Sequence, residues 1–141
     1  WDVKKQVEII KKELDWRGEV VEGIPERYNY EKIECIMQGT RDYIKFLKRG
    51  FGRTNHLASI DIRNGRLSRD EGADLVKIYD GKRPKSLELL LKILNISEDE
   101  FYDIVNKHVI EPHKIMPRED FKKSSTNIIP KDLDDWLDKF K

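Results

Sequence analysis

The chain has 141 residues, enough for one compact domain and short for two. Hydrophobic residues make up 38% and charged residues 39%, the balance of a helix-rich domain with a modest core, and a net charge of +1 lacks the excess expected of a dedicated nucleic-acid binder. The single cysteine, Cys35, excludes an intramolecular disulfide and a multi-cysteine zinc site and suits a reducing cytoplasm, and no apolar run approaches the roughly 20 residues of a membrane span.

The first predicted element is an amphipathic helix from Val3 to Leu14. Val3, Val7, Ile10 and Leu14 recur at spacings of four, three and four, with Asp2 placed to cap the start and Gly18 to stop the chain beyond it. No secretory signal is visible. The sequence opens at Trp1, with no initiator Met, directly in this helical pattern, and it is read as a fragment of a longer protein. Residues 18–29, with Gly23 and Pro25, read as a connecting loop.

A second helix is predicted from about Tyr30 to Lys48, lined by Ile33, Ile36, Met37, Tyr43, Ile44 and Leu47, with Gly39 as an interruption and Gly50 and Gly52 as its end. Thr54 is placed to cap a short third helix through Leu57, Ile60 and Ile62, closed by the Asn64-Gly65 turn. Ser68 with Glu71, and Ser97 with Glu100, have the spacing of capping boxes. They open a fourth helix ending at Gly81 and a sixth running to about His108. Between them a fifth helix, about Ser86 to Leu94, is dense in leucine and is the expected buried centre. Beyond Pro112 the pattern weakens. Residues 113–141 read as a linker and one short helix holding Leu133, Trp136, Leu137 and Phe140, with Pro130 in a first-turn position. No strand alternation or internal repeat is present. The fold class expected is therefore all-α, a compact bundle of five to seven short helices over residues 1–112.

The near-zero net charge hides an asymmetry. Residues 41–69 carry eight basic side chains against Asp42 and Asp61, a net of +6, while residues 98–141 sum to −3. The positive charge gathers around Gly50 and Gly52. Lys45, Lys48 and Arg49 fall near one another on the last turns of a helix, the glycines allow close approach of the backbone, and a new helix beginning nearby would aim free amide groups at the same place as Arg53. Such an arrangement can hold a phosphate or diphosphate. The same lysines and arginines near a helix C-terminus also interact favourably with its dipole with no ligand present.

Several ordered blocks carry a resemblance. They are Asp42-Tyr-Ile-Lys-Phe-Leu-Lys-Arg-Gly-Phe-Gly-Arg53, Ala58-Ser-Ile-Asp-Ile-Arg-Asn-Gly-Arg66, Ser68-Arg-Asp-Glu71 and Tyr79-Asp-Gly-Lys-Arg-Pro84, supported by Trp1 to Lys5 and Tyr30 to Cys35. Together they resemble the C-terminal half of the N-acetyl sugar amidotransferases, bacterial enzymes that turn an acetamido group into an acetamidino group on nucleotide-activated sugars for lipopolysaccharide and flagellin glycans. The resemblance covers roughly residues 1–112. It implies the C-terminal region of an ATP-pyrophosphatase-type α/β enzyme. A preceding ATP-pyrophosphatase domain would bind ATP and Mg through a Ser-Gly-Gly-x-Asp-Ser loop, activate the amide oxygen by adenylation, and let ammonia from a glutaminase partner displace AMP. This chain has neither that loop nor the family's cysteine-rich segment. Alone it is expected to be inactive and to hold no cofactor tightly, and to supply one wall of the site. On this reading Lys45, Lys48, Gly50, Gly52, Arg53, Arg63 and Arg69 face nucleotide or sugar-nucleotide phosphates, and Asp61 orients Arg63 or takes a sugar hydroxyl. The alternative for Asp61 is a local charge interaction.

Other residues carry weaker signals. His56, His108 and His113 are too scattered for a metal site. Cys35, among Ile33, Ile36 and Met37, is expected to be a packed thiol. Trp1, Trp16 and Trp136 suit either the core or a surface facing an absent domain. Two further functions compete with the enzyme part. One is a DNA-binding helix-turn-helix over residues 68–94, opposed by the net charge and by an almost wholly apolar second helix. The other is an interaction module that docks the glutaminase or forms a homodimer.

Overall fold

A computed structural model describes residues 2–113. They form six α-helices and no sheet, so the all-α expectation holds: α1 (Val3–Leu14), α2 (Gln38–Arg49), α3 (Arg53–Arg63), α4 (Arg69–Tyr79), α5 (Ser86–Leu94) and α6 (Glu98–Asn106). One short 3-10 turn (Glu26–Tyr28) sits in the loop after α1. No helix among the described residues is long and apolar enough to cross a membrane. The short C-terminal helix predicted around Leu133 to Phe140 lies outside the described residues.

The helices begin where local chemistry starts them. Asp2 caps α1 by accepting the Lys4 N–H at 3.1 Å. Both capping boxes form: Ser68 Oγ accepts the Glu71 N–H while the Glu71 carboxylate returns to Ser68, and Ser97 and Glu100 repeat the exchange. Gly50, at φ 77°, ends α2 in the left-handed region that a side chain would resist.

The largest core is built by α2, α5 and α6, where Tyr43, Leu47, Leu87, Phe101, Tyr102 and Val105 are buried together. The Tyr43 and Tyr102 hydroxyls hydrogen-bond at 2.9 Å, which satisfies two polar groups that burial would otherwise strand. The α5 expectation is met at Leu87 and Leu89, but Ile93 and Leu94 are exposed. Helices α3 and α4 form a hairpin across Asn64-Gly65, and Gly72 permits their close approach. A Cβ there would stand 2.7 Å from Ile62 Cδ1.

The second cluster has a different origin. Val21, Ile24 and Tyr28, from the loop after α1, bury against Leu57 of α3, with Tyr30 and Ile33 packed over them. This explains the main departure from the sequence reading. Residues 30–37 are turns, not the first half of a helix, and α2 starts at Gln38. Tyr30 and Ile33 reach the loop cluster from an irregular backbone with Lys32 at φ 50°, and that burial overrides a helical spacing of apolar residues. Cys35 is consequently exposed rather than packed. Gly39 lies in the first turn of α2, where its missing side chain leaves room for the Glu22 carboxylate.

Candidate functional site

The double-glycine corner links α2 to α3. On its α2 side, Gly50 N–H donates to the Phe46 carbonyl at 2.7 Å and Ile110 N–H donates to the Lys48 carbonyl at 2.9 Å, so two of the carbonyls at the helix end are answered from within the chain. The His113 ring lies over Gly50, where a Cβ would stand 2.7 Å from Nδ1. Lys45 Nζ sits 4.7 Å from the centroid of the exposed Phe51 ring. Beside these residues is a cleft of about 600 Å³ lined by Arg49, Gly50, Phe51 and the segment Ile110 to His113. Lys48 and Arg49 form no ion pair among the described residues.

On the α3 side the corner is already occupied by an anion of the chain itself. The Asp80 carboxylate accepts the N–H groups of Gly52 at 2.9 Å, Thr54 at 3.0 Å and Asn55 at 3.2 Å. These are the amides that a helix start offers to phosphate. Burial raises the Asp80 carboxyl above the usual carboxylate range, and the three amides oppose that rise only in part. Gly52 is extended, and its role here is space, because a side chain would run into Asp80. Arg53 is likewise engaged. Its Nε and Nη2 form a fork on Asp42 at 2.6 and 3.1 Å, its Nη1 donates to the Glu31 carbonyl, and the side chain is 7% exposed.

Asp61 is the centre of a second charged cluster. At 1% exposure it accepts from Lys4 Nζ at 3.1 Å, Arg27 Nη2 at 2.9 Å and the Tyr28 hydroxyl at 3.1 Å on one oxygen, and from Arg66 Nε at 2.8 Å on the other. Burial pushes its carboxyl up, but the donors from Arg66, Lys4 and Tyr28 outweigh burial and hold it below the usual range. Burial and the nearby Asp61 charge push the Tyr28 phenol up, and the Tyr30 phenol reaches about 12. Asp61 thus joins α1, the 3-10 turn and the α3–α4 hairpin, and its arginine partners are Arg27 and Arg66, not Arg63.

Arg63 and Arg69 are exposed around the turn between α3 and α4. Ten residues of helix separate Arg53 from Arg63, an axial distance of about 15 Å. No single phosphate or diphosphate meets both. The structure therefore groups Lys45, Lys48 and Gly50 with Arg49, Phe51 and His113. Gly52 and Arg53 stand behind them, tied to internal carboxylates, and Asp61, Arg63 and Arg69 lie elsewhere. No group of three or more His, Cys, Asp or Glu side chains could hold a metal ion among the described residues. The α3 amides and the Arg53 fork are thus both engaged by carboxylates of the chain itself. Leu87 and Leu89 of α5 are buried in the core.

The comparisons with known proteins assign the framework. The model of the family described as LPS biosynthesis protein WbpG-like, C-terminal domain, matches residues 22–134. The chain belongs to this family. The matched span starts at Glu22, which is itself one of the buried carboxylates, and leaves α1 outside it. No curated protein and no solved structure gives a significant match. A WbpG-like C-terminal domain places the chain in lipopolysaccharide biosynthesis, and the ordered sequence blocks contain Asp42, Arg53, Asp61, Arg66 and Asp80. Those five residues form the internal ion pairs and the cap. The sequence reading missed Asp80 as a helix cap, because a carboxylate 26 residues along the chain from Thr54 carries no local signal.

Proposed function

We propose that this WbpG-like domain is the C-terminal part of an ATP-dependent N-acetyl sugar amidotransferase acting in the cytoplasm on a nucleotide-activated sugar for surface polysaccharide or flagellin glycan. It contributes a cationic wall, and ATP with Mg binds in a preceding ATP-pyrophosphatase domain. The observation that supports this best is the pairing of the family match with three cations, Lys45, Lys48 and Arg49, on the last turns of α2, of which Arg49 lines an open cleft. An amide oxygen is a poor leaving group until it carries a nucleotide, and the charge that develops on phosphoryl groups requires fixed cations. Lys48 and Arg49 serve as the phosphate contacts in this reading. Gly52, Arg53, Asp42 and Asp80 hold the corner's shape. Arg63 and Arg69, on a separate face, are left to a second contact with the substrate or with the glutaminase that supplies ammonia.

The test is direct. The chain alone is expected to bind neither ATP nor a nucleotide sugar measurably by calorimetry, whereas the full-length protein binds both. In the full-length enzyme, Lys48→Ala with Arg49→Ala is expected to raise KM for the nucleotide sugar about a hundredfold, the effect of losing two charge-assisted contacts, with kcat little changed. Tight ATP binding by the isolated chain, or an unchanged KM in the double variant, would count against the assignment.

A further inference from the structure

The cleft at the end of α2 has walls that suit something other than phosphate. Phe51 is 40% exposed and Ile110 49% exposed, and Pro112 joins them in the lining. These walls are fixed. Ile110 N–H donates to the Lys48 carbonyl at 2.9 Å, and His113 N–H donates to the Ile110 carbonyl at 3.1 Å. The His113 ring packs on Gly50 and meets the Phe46 ring near edge-on, with centroids 6.4 Å apart. Lys45 rests against the Phe51 ring but is not part of the cleft lining. It therefore steadies the ring without filling the space. A volume of about 600 Å³ lies within the range of small-molecule sites.

Charge divides the site in two. Within the lining Arg49 is offset by Glu111, so the cleft itself favours a group without net charge. Lys48 adjoins Arg49, and Lys45 stands one turn behind it, so the α2 edge is cationic and favours an anion. A sugar is covered in hydroxyls and offers little flat apolar surface to Phe51, Ile110 and Pro112. A nucleobase offers a π-face, and bases of every kind stack on aromatic side chains. A nucleotide carries both chemistries in one molecule, a flat uncharged ring and, a ribose away, its phosphates.

We propose that this cleft holds the nucleobase of the nucleotide-activated sugar, stacked on Phe51, with its phosphates at Lys48 and Arg49. The inference rests on the cationic wall proposed above and adds which end of the substrate this domain grips. The nucleotide end stays in the cleft, and the sugar with its N-acetyl group lies beyond the phosphates, away from Phe51.

Amide chemical shifts of the 141-residue chain, titrated with UDP, CDP, ADP or GDP and separately with inorganic diphosphate, test this. At least one nucleotide is expected to move the amides of Phe51, Ile110, Glu111 and His113 at millimolar concentration, weaker binding than calorimetry resolves. Diphosphate is expected to move Lys48 and Arg49 alone. Phe51→Leu is expected to cut the nucleotide response about tenfold, the effect of losing one stacked base, and Phe51→Trp to keep it. Phe51 lies outside both buried clusters, so neither variant disturbs the core. If the nucleotides move only what diphosphate moves, or Phe51→Leu responds like the unaltered chain, the base does not stack here and the proposal is overturned while the cationic wall stands. If a nucleotide moves the cleft amides and diphosphate moves none, the base pocket is upheld and the wall is the part that fails. Silence with every nucleotide also overturns the pocket, and the wall is then judged separately by the KM of the Lys48 and Arg49 variant. Cleft amides that shift with protein concentration alone would make a second copy the occupant, which overturns the proposal as well.

Discussion

Two aspartates, Asp61 fully buried and Asp80 partly buried, organise this domain in opposite ways. Asp61 gathers charge: Lys4, Arg27 and Arg66 converge on it from three parts of the chain, and the Tyr28 hydroxyl completes its shell. Asp80 gathers dipoles: it accepts three backbone N–H groups at the start of α3. The surrounding donors decide the outcome for each carboxyl. Full positive charges hold Asp61 below its ordinary range despite burial, whereas partial charges leave burial in control at Asp80. Glu22 repeats the Asp80 arrangement at the start of α5, accepting the Lys85 and Ser86 N–H groups at 2.6 and 3.2 Å. The lesson concerns anion sites. Two helix starts in this domain that would suit a phosphate are filled by its own carboxylates.

The contrast predicts a ranking of substitutions. Asp61→Asn is expected to cost the most, about 3 kcal/mol in urea denaturation, because an amide NH2 must then face donors and several cations lose their counter-charge together. The value sits at the low end for a buried ionic cluster since Lys4, Arg27 and Arg66 are partly exposed and can rehydrate. A loss under about 1 kcal/mol would remove Asp61 from the centre of the fold. Asp80→Ala is expected to cost about 2 kcal/mol, the upper range for a helix cap. Gly52→Ala should approach the same loss, because its Cβ would displace the carboxylate. The double variant should cost clearly less than the sum, since without Asp80 the new methyl meets nothing charged, and strict additivity would argue that the two do not touch. Glu22→Gln is expected to cost about 1 kcal/mol, as one acceptor oxygen survives.

What the sequence made legible follows from the same distinction between local and distant partners. The α1 cap at Asp2, both capping boxes and the Gly50 stop are decided within a few residues, and each lies where its pattern points. The start of α2 was not legible, because Tyr30 and Ile33 obey burial against a loop that shows no periodicity of its own. Nor were the carboxylate caps. Glu22 reaches Lys85 across 63 residues, and no spacing announces such a pair. The clustering of cations around Gly50 and Gly52 was legible as charge. Which of them remain open was not, since that depends on Asp42 and Asp80 arriving from other elements to engage Arg53 and the α3 amides.

The smallest expected effect is the most discriminating, because the two aspartates should respond to pH with opposite signs. Asp61 has a folded pKa below its unfolded value of about 3.9, so its contribution is present above that value and is lost as pH falls through the folded pKa. Asp80 has a folded pKa above the unfolded value. The folded state then binds the proton more tightly, and the associated stability is present at low pH and lost as pH rises through the folded pKa. Thermal unfolding followed from neutral to acid pH should therefore show Tm held or slightly raised in the mildly acidic range before it declines. In Asp80→Asn the mild-acid plateau should vanish and the decline begin sooner. In Asp61→Asn the decline should be shallower, though still present, because Glu71 and Glu100 are held low by Ser68 and Ser97 and also protonate there. If both variants instead shifted the curve in the same direction, the two carboxylates would not be distinguished by their donors, and the division between a charge-held and a dipole-held anion would fail.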